Sequence, residues 1–150
     1  MRSLIQRVKE AKVIVNNNIV GEINDGLLVF LAVGNDDNEE DINWLSQKII
    51  QLRIFSNEEG KMNKSIQDIN GSLLIVSQFT LFASTKKGNR PSFINSAPPE
   101  KAKALYEQFI EKCESLLQKK VERGIFGADM KVHLINDGPV TIWIDTKNKE

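Results

Sequence analysis

Hydrolytic and metal sites lean on cysteine and histidine, and this chain is nearly without either: Cys113 is its single cysteine and His133 its single histidine. One cysteine excludes an intrachain disulfide, and its helical surroundings between Lys112 and Glu114 carry no mark of a nucleophile. With one histidine beside it, neither a Cys/His metal set nor a Cys-His pair is supported, so both read as packing or surface residues. No metal or organic cofactor is expected. An excess of charge is missing too. Lys+Arg and Asp+Glu number 20 each, so no global basic field draws in RNA, and any nucleic-acid contact has to come from a local patch. No apolar stretch approaches the roughly 20 residues of a membrane helix, and the first residues lack the apolar core of a secretion signal. The expectation is a cytoplasmic protein with no membrane partner.

A chain of 150 residues fits one domain, 1–150, and hides roughly 70% of its unfolded surface. Residues 3–33 read as three strands. Val13 and Val15 face Ile19 and Val20 across Asn16-Asn17-Asn18, whose asparagines tolerate left-handed backbone, so the first two strands form a hairpin. Gly26 opens the third, and Leu27 to Val33 is apolar throughout, as a strand buried on both faces would be. Gly34 to Asn38 supplies turn and N-cap chemistry for a helix with Ile42, Leu45, Ile49 and Ile50 on one face. The acidic run Asp36 to Asp41 imitates a metal site, but a solvated helix start matched to the helix dipole accounts for it. Residues 56–71 read as a loop before the strand at Leu73. A second helix begins near Pro98-Pro99-Glu100 with Ala102, Leu105, Phe109 and Leu116 along one side. Val121, then Met130–Ile135 and Val140–Ile144, complete the strands. Blocks of strands with two helices describe an α/β layered domain rather than a doubly wound sheet.

Two segments about sixty residues apart break this pattern. The apolar run Leu73-Leu74-Ile75-Val76 empties into Ser77-Gln78-Phe79-Thr80, groups too polar to bury without partners. In Asn136-Asp137-Gly138-Pro139-Val140-Thr141, Gly-Pro interrupts two β-rich runs, where proline removes a ladder donor. Such breaks concentrate at working sites. Ser77 and Thr80 are candidate acyl-transfer nucleophiles, yet a hydroxyl needs a base and nothing in the sequence brings His133 near; the alternative is that both only bond backbone where the strand stops. Gly138-Pro139 on its own is equally a turn or an edge kink.

Both segments, together with Ile5-Gln6-Arg7-Val8, Gly26 to Leu31, Leu52-Arg53-Ile54-Phe55, Gly60-Lys61-Met62-Asn63, Lys87 to Phe93 and Gly124 to Met130, resemble the D-aminoacyl-tRNA deacylases, also called D-tyrosyl-tRNA deacylases. The likeness spans nearly the whole chain. It implies a single three-layer β/β/α domain assembled as a homodimer. It also implies hydrolysis of D-aminoacyl-tRNA, and of glycyl-tRNA mischarged on tRNA-Ala, with the 3′ terminal adenosine and its amino acid as the bound partner.

The resemblance assigns roles residue by residue. Ser77, Gln78, Phe79 and Thr80 line the pocket for the aminoacyl-adenosine end, with backbone N–H groups near Phe79 and Thr80 facing the scissile carbonyl. The 2′-hydroxyl of the tRNA helps to activate water. Gly138 and Pro139, joined by a cis peptide, enter the partner subunit's site and crowd the space an L side chain would need, so chirality is proofread by exclusion. Glycine meets no such clash. Arg7 steadies the Gly-Pro carbonyls; otherwise it is a strand-face charge paired with an acid. Phe126 and Met130 pack around the terminal adenosine, with core packing as the alternative. Lys86, Lys87 and Arg90 are candidate tRNA phosphate contacts, or simply solvated loop charges. Two rival classes remain at this stage: a non-catalytic binder of an RNA 3′ end or nucleotide, and a general small-ester hydrolase.

Overall fold

A computed structural model describes all of residues 1–150. The three N-terminal strands form as expected: β1 is Arg2–Val15, β2 Asn18–Ile23 and β3 Gly26–Ala32. Asn16 and Asn17 hold φ of 49° and 63° at the hairpin tip, backbone that asparagine tolerates better than most residues. Helix α1, Glu39–Gln51, follows, then a short antiparallel hairpin of β4 (Phe55–Ser56) and β5 (Met62–Lys64). Strand β6, Ser72–Ser77, runs into a 3₁₀ turn over Phe79–Phe82; helix α2, Pro99–Leu117, precedes β7, Glu122–Arg123, and β8, Lys131–Asp145.

The result is an α/β fold with a mixed sheet and two helices. Strand order along the sheet is β2-β1-β3-β6-β7, with β8 lying antiparallel along β1. The pairs β3–β6 and β6–β7 are parallel, so each requires a crossover, and α1 and α2 supply the two. Both helices pack on one face and on each other. That placement explains the continuous apolar run of β3: Leu27, Val29 and Leu31 point into the helix-side core, whereas Leu28 points with Leu74, Val76, Val8 and Val13 into a second core on the opposite face. The second core is enclosed because the sheet curls and β2 comes up against β7. Gly21 permits the approach, since a Cβ there would stand 2.5 Å from the carbonyl oxygen of Arg123.

Four expectations need correction. Residues 56–71 are not wholly loop, because Ser56 and Met62–Lys64 belong to the β4–β5 hairpin. The buried stripe of α2 is Ala102, Tyr106, Phe109, Ile110 and Cys113, with Leu105 and Leu116 only half-buried at its margin. Gly138-Pro139 does not separate two strands. β8 runs on through it, bulging away from β1. Finally, the acidic start of α1 is only partly solvated: Asp37 and Asp41 are buried. Asp37 pairs with the Met1 ammonium at 2.6 Å, and Asp41 accepts from Thr146 at 2.5 Å and from Lys147 at 2.9 Å.

The Asp41 cluster ties α1 to the segment after β8. Burial alone would raise the Asp41 pKa; hydrogen bonds from Thr146, Lys147 and the Asn38 amide, with the Met1 ammonium, outweigh it and hold the carboxyl at about 2 against an ordinary 3.8. A carboxylate whose folded pKa is depressed stabilises the fold above its unfolded pKa and loses that contribution as pH falls through the folded value. Stability measured by urea unfolding should therefore drop between pH 4 and 2. Asp41→Asn should remove part of that slope and cost about 2 kcal/mol at neutral pH. An unchanged acid slope in the variant would place the titrating group elsewhere.

Candidate active site

Where β6 ends, the chain turns from a doubly buried strand into an open rim. Gln78 donates its amide to Leu31 O at 2.8 Å, the last tie to the sheet, and the 3₁₀ turn closes through Leu81 N to Gln78 O and Ala83 N to Thr80 O. The first amides of a helical turn have no acceptor within it, so the N–H groups of Phe79 and Thr80 are the ones this geometry leaves free for a ligand. The Gln78 side-chain amide donates to the Thr80 hydroxyl. Phe79 is 55% exposed, unusual for its size, and its ring meets that of Phe93 edge-on at 5.0 Å.

This rim borders a cleft of about 810 Å³, within the range of small-ligand sites. Ser77, Gln78 and Phe79 form one wall; Phe126, Gly127 and Met130 form the opposite one; Phe93, Ile94 and the Pro98-Pro99 start of α2 close the end. Phe126 is backed by Tyr106 at 5.8 Å, and the Tyr106 hydroxyl is anchored to Ile75 O at 2.9 Å. Burial pushes the Tyr106 pKa up to about 12, so it stays a neutral donor. Cys113 lies behind this wall with its thiol pushed up to about 12 by burial and, secondarily, by Glu114, which makes it an inert packing residue. His133 is exposed on β8 and lines a different groove with Glu10, Lys12 and Glu22.

Of the residues nominated from sequence, Ser77, Gln78, Phe79, Phe126 and Met130 meet in this cleft. Thr80 sits on the outer side of the rim, exposed. Lys86, Lys87 and Arg90 lie on an exposed loop pinned at its base by a Ser84–Ser92 bridge, immediately before Phe93. The third group lies apart. Gly138 and Pro139, joined by a cis peptide, crown the β8 bulge, and Arg7 stands beneath them. Its Nε is 3.1 Å from Asp137 and its Nη1 donates to Ile54 O at 2.5 Å. Arg7 and Asp137 border a separate polar cleft of about 320 Å³ with Lys9 and Asp25. The Gly138–Pro139 loop is no part of its own chain's apolar cleft.

Phe93, Ile94, Pro98 and Pro99 were not singled out as site residues from sequence. The available signal was Ile94, a large aliphatic inside a polar loop; the structure leaves it 79% exposed at the cleft mouth, where such a residue asks for a partner.

A family model described as D-Tyr-tRNA(Tyr) deacylase matches residues 4–145. A D-aminoacyl-tRNA deacylase of Cytophaga hutchinsonii is 61% identical over 150 residues, the whole of both chains. One of Thermotoga petrophila is 58% identical over 149 residues, covering 97% of each. Among solved structures, the c-Myc DNA Unwinding Element Binding Protein superposes with a TM-score of 0.93 at 37% identity, covering 97% of this chain and 99% of that one. A probable eukaryotic D-amino acid tRNA deacylase shares the fold, with a TM-score of 0.83 at 19% identity over 95% and 97% of the two chains. Matched from β1 to the end of β8 by the family model and along its full length by such relatives, the chain belongs to the D-aminoacyl-tRNA deacylases, hydrolases that cut the ester bond of an aminoacyl-tRNA.

Proposed function

We propose that this deacylase takes the 3′ end of D-aminoacyl-tRNA, and of glycyl-tRNA mischarged on tRNA-Ala, into the cleft between Phe79 and Phe126 and rejects L-amino acids with backbone borrowed from a second subunit. The observation that carries the reading is the meeting of an apolar cleft with the free amides that open the 3₁₀ turn. Phe126 and Met130 flank the terminal adenosine, an aromatic face and a thioether suited to a base with no helix to stack in. Lys86, Lys87 and Arg90 contact the adjoining phosphates.

In the reaction, water adds to the ester carbonyl carbon and the C=O electron pair moves onto oxygen. The Phe79 and Thr80 amides receive that oxyanion, a donor of this kind contributing about 3 kcal/mol in well-studied hydrolases. The tRNA 2′-hydroxyl assists the removal of the water proton; collapse breaks the bond to O3′, which takes up a proton, and free amino acid leaves. No side-chain nucleophile is required. Thr80→Ala should accordingly lose no more than about tenfold in turnover, whereas deletion of a true nucleophile costs about 10⁴-fold or more. A trapped acyl group on Thr80 would overturn this assignment.

The chiral wall is Gly138 and Pro139 of a partner subunit in a homodimer of three-layer β/β/α domains, each spanning 1–150. Three features support it: the loop lies outside its own cleft, the outer edge of β8 has no strand partner, and Ile135 and Trp143 on that strand are about half exposed. An unpaired edge carrying apolar side chains is a ready interface. Backbone atoms make a firmer wall than a side chain, which can rotate away. No helix of the chain is long and apolar enough to cross a membrane, and we assign the protein to the cytoplasm, where its substrate is made. Binding of an RNA end without turnover is separated from this reading by the same kinetic assay.

A further inference from the structure

The Gly138–Pro139 loop is a large excursion from a sheet, and something must hold it. Gln6 pairs with Thr141 and Val8 with Asn136, so residues 137–140 stand against Arg7 alone. A bulge of this kind strips ladder partners from the strand it leaves and from its own closing residues. The carbonyls of Arg7 and Val140 are two of the groups so exposed, and one side chain answers both. The Asn136 Nδ2 donates to Arg7 O at 3.0 Å and to Val140 O at 3.0 Å. Its Oδ1 accepts from Thr141 Oγ1 at 3.2 Å, and Thr141 in turn accepts from Gln6 Nε2 at 3.3 Å. Each amide hydrogen has a carbonyl, and the amide oxygen has a hydroxyl that fixes which way the group faces.

We propose that Asn136 is a positioning residue for substrate selection: it staples the two feet of the Gly138–Pro139 loop to β1, with Thr141 orienting the staple. The inference rests on the reading of that loop as the chiral wall. It adds a residue that touches neither substrate nor reacting atoms. The same Arg7 whose carbonyl is held by Asn136 extends its guanidinium under the loop, where Nη2 lies 2.9 Å from the place a Gly138 Cβ would occupy. Arg7 is thus gripped at both ends, its main chain by Asn136 and its side chain by Ile54 O and Asp137. Loosening the main-chain grip moves the loop and its support together.

The chemistry of the staple makes the substitution sharp. Asn136→Asp keeps the shape but turns a carboxylate oxygen toward two carbonyl oxygens, replacing two attractions by two repulsions. Asn136→Ala merely leaves the carbonyls to water. Thr141→Val removes the hydroxyl that orients the amide, and Thr141→Ser retains it.

The test measures kcat and KM on D- and L-aminoacyl esters of one tRNA, with thermal melting of each variant alongside. Asn136→Asp is expected to lower the D-over-L ratio of kcat/KM about tenfold or more, Asn136→Ala less, and Thr141→Val less again. The change should fall on kcat and selectivity rather than on KM, since the adenosine cleft is untouched. Thr141→Ser should keep the wild-type ratio. Should Asn136→Asp fail to fold, Asn136→Ala and the Thr141 pair carry the test. A wild-type ratio in every folded Asn136 and Thr141 variant, with Gly138→Ala still altering it, overturns the staple and leaves the wall standing. A ratio unmoved by Gly138→Ala as well overturns both.

Discussion

Replacing Gly138 with alanine is expected to cut turnover of D-aminoacyl-tRNA by about 100-fold or more while leaving the protein folded. Gly138 has φ of +120°, a region that L side chains avoid. An added Cβ would lie 2.9 Å from Arg7 Nη2, 2.9 Å from Val140 Cγ2 and 3.1 Å from the Val140 backbone nitrogen. The first of these neighbours is a flexible tip in principle, but here it is held by Ile54 O at 2.5 Å and Asp137 at 3.1 Å. The last is backbone and does not yield. The loop itself must therefore move, and displacement of a positioning element by about 1 Å costs on the order of 100-fold in rate. The fold should survive because the loop projects from the outer strand of the sheet, and neither Gly138 nor Pro139 belongs to either buried core. Kinetics beside a far-ultraviolet circular dichroism spectrum and a melting curve check both halves. Turnover within threefold of the wild type would show that the loop takes no part in selection.

Much of the sheet was legible because its strands obey simple patterns. Leu27 to Val33 reads as buried on both faces, and alternate residues do enter two different cores. Asn16 and Asn17 announce a turn through their tolerance of left-handed backbone. The candidate functional segments stood out for the opposite reason, as polar or proline-bearing interruptions of apolar runs. What escaped the sequence depends on groups that meet only in the fold. Asp37 carries a charge that looks solvated until the Met1 ammonium, 36 residues away, is brought to 2.6 Å from it. Met62-Asn63-Lys64 forms a strand with no apolar alternation to betray it. On α2, Tyr106 and Cys113 take the buried stripe that a simpler reading spread to Leu105 and Leu116. The cleft's end wall, Phe93 to Pro99, comes from the approach to α2, and only the folded chain sets it opposite the β6 rim.

On the proposed function, labour divides within the site. The cleft and the 3₁₀ amides belong to one chain and would be indifferent to chirality, addressing the adenosine and the carbonyl oxygen. Selection would fall to the Gly138–Pro139 loop, braced by Arg7 and by Asn136. Damage to the cleft should then raise KM for every substrate alike, whereas damage to the loop should change the ratio between substrates.

The strongest expected effect is on that ratio in the unaltered protein. The proposed wall of backbone, set against the Cα of the amino acid, would exclude the L side chain, pass the D side chain and not meet glycine at all. An added clash of about 2.7 kcal/mol corresponds to about 100-fold in rate. The most direct measurement is single-turnover deacylation of one tRNA charged in turn with a D-amino acid, its L enantiomer and glycine, each corrected for spontaneous hydrolysis. The account predicts rapid release of the D-amino acid and of glycine, with the L ester at least about 100-fold slower. Equal rates on the two enantiomers, or no release of the D-amino acid above the spontaneous rate, would contradict it.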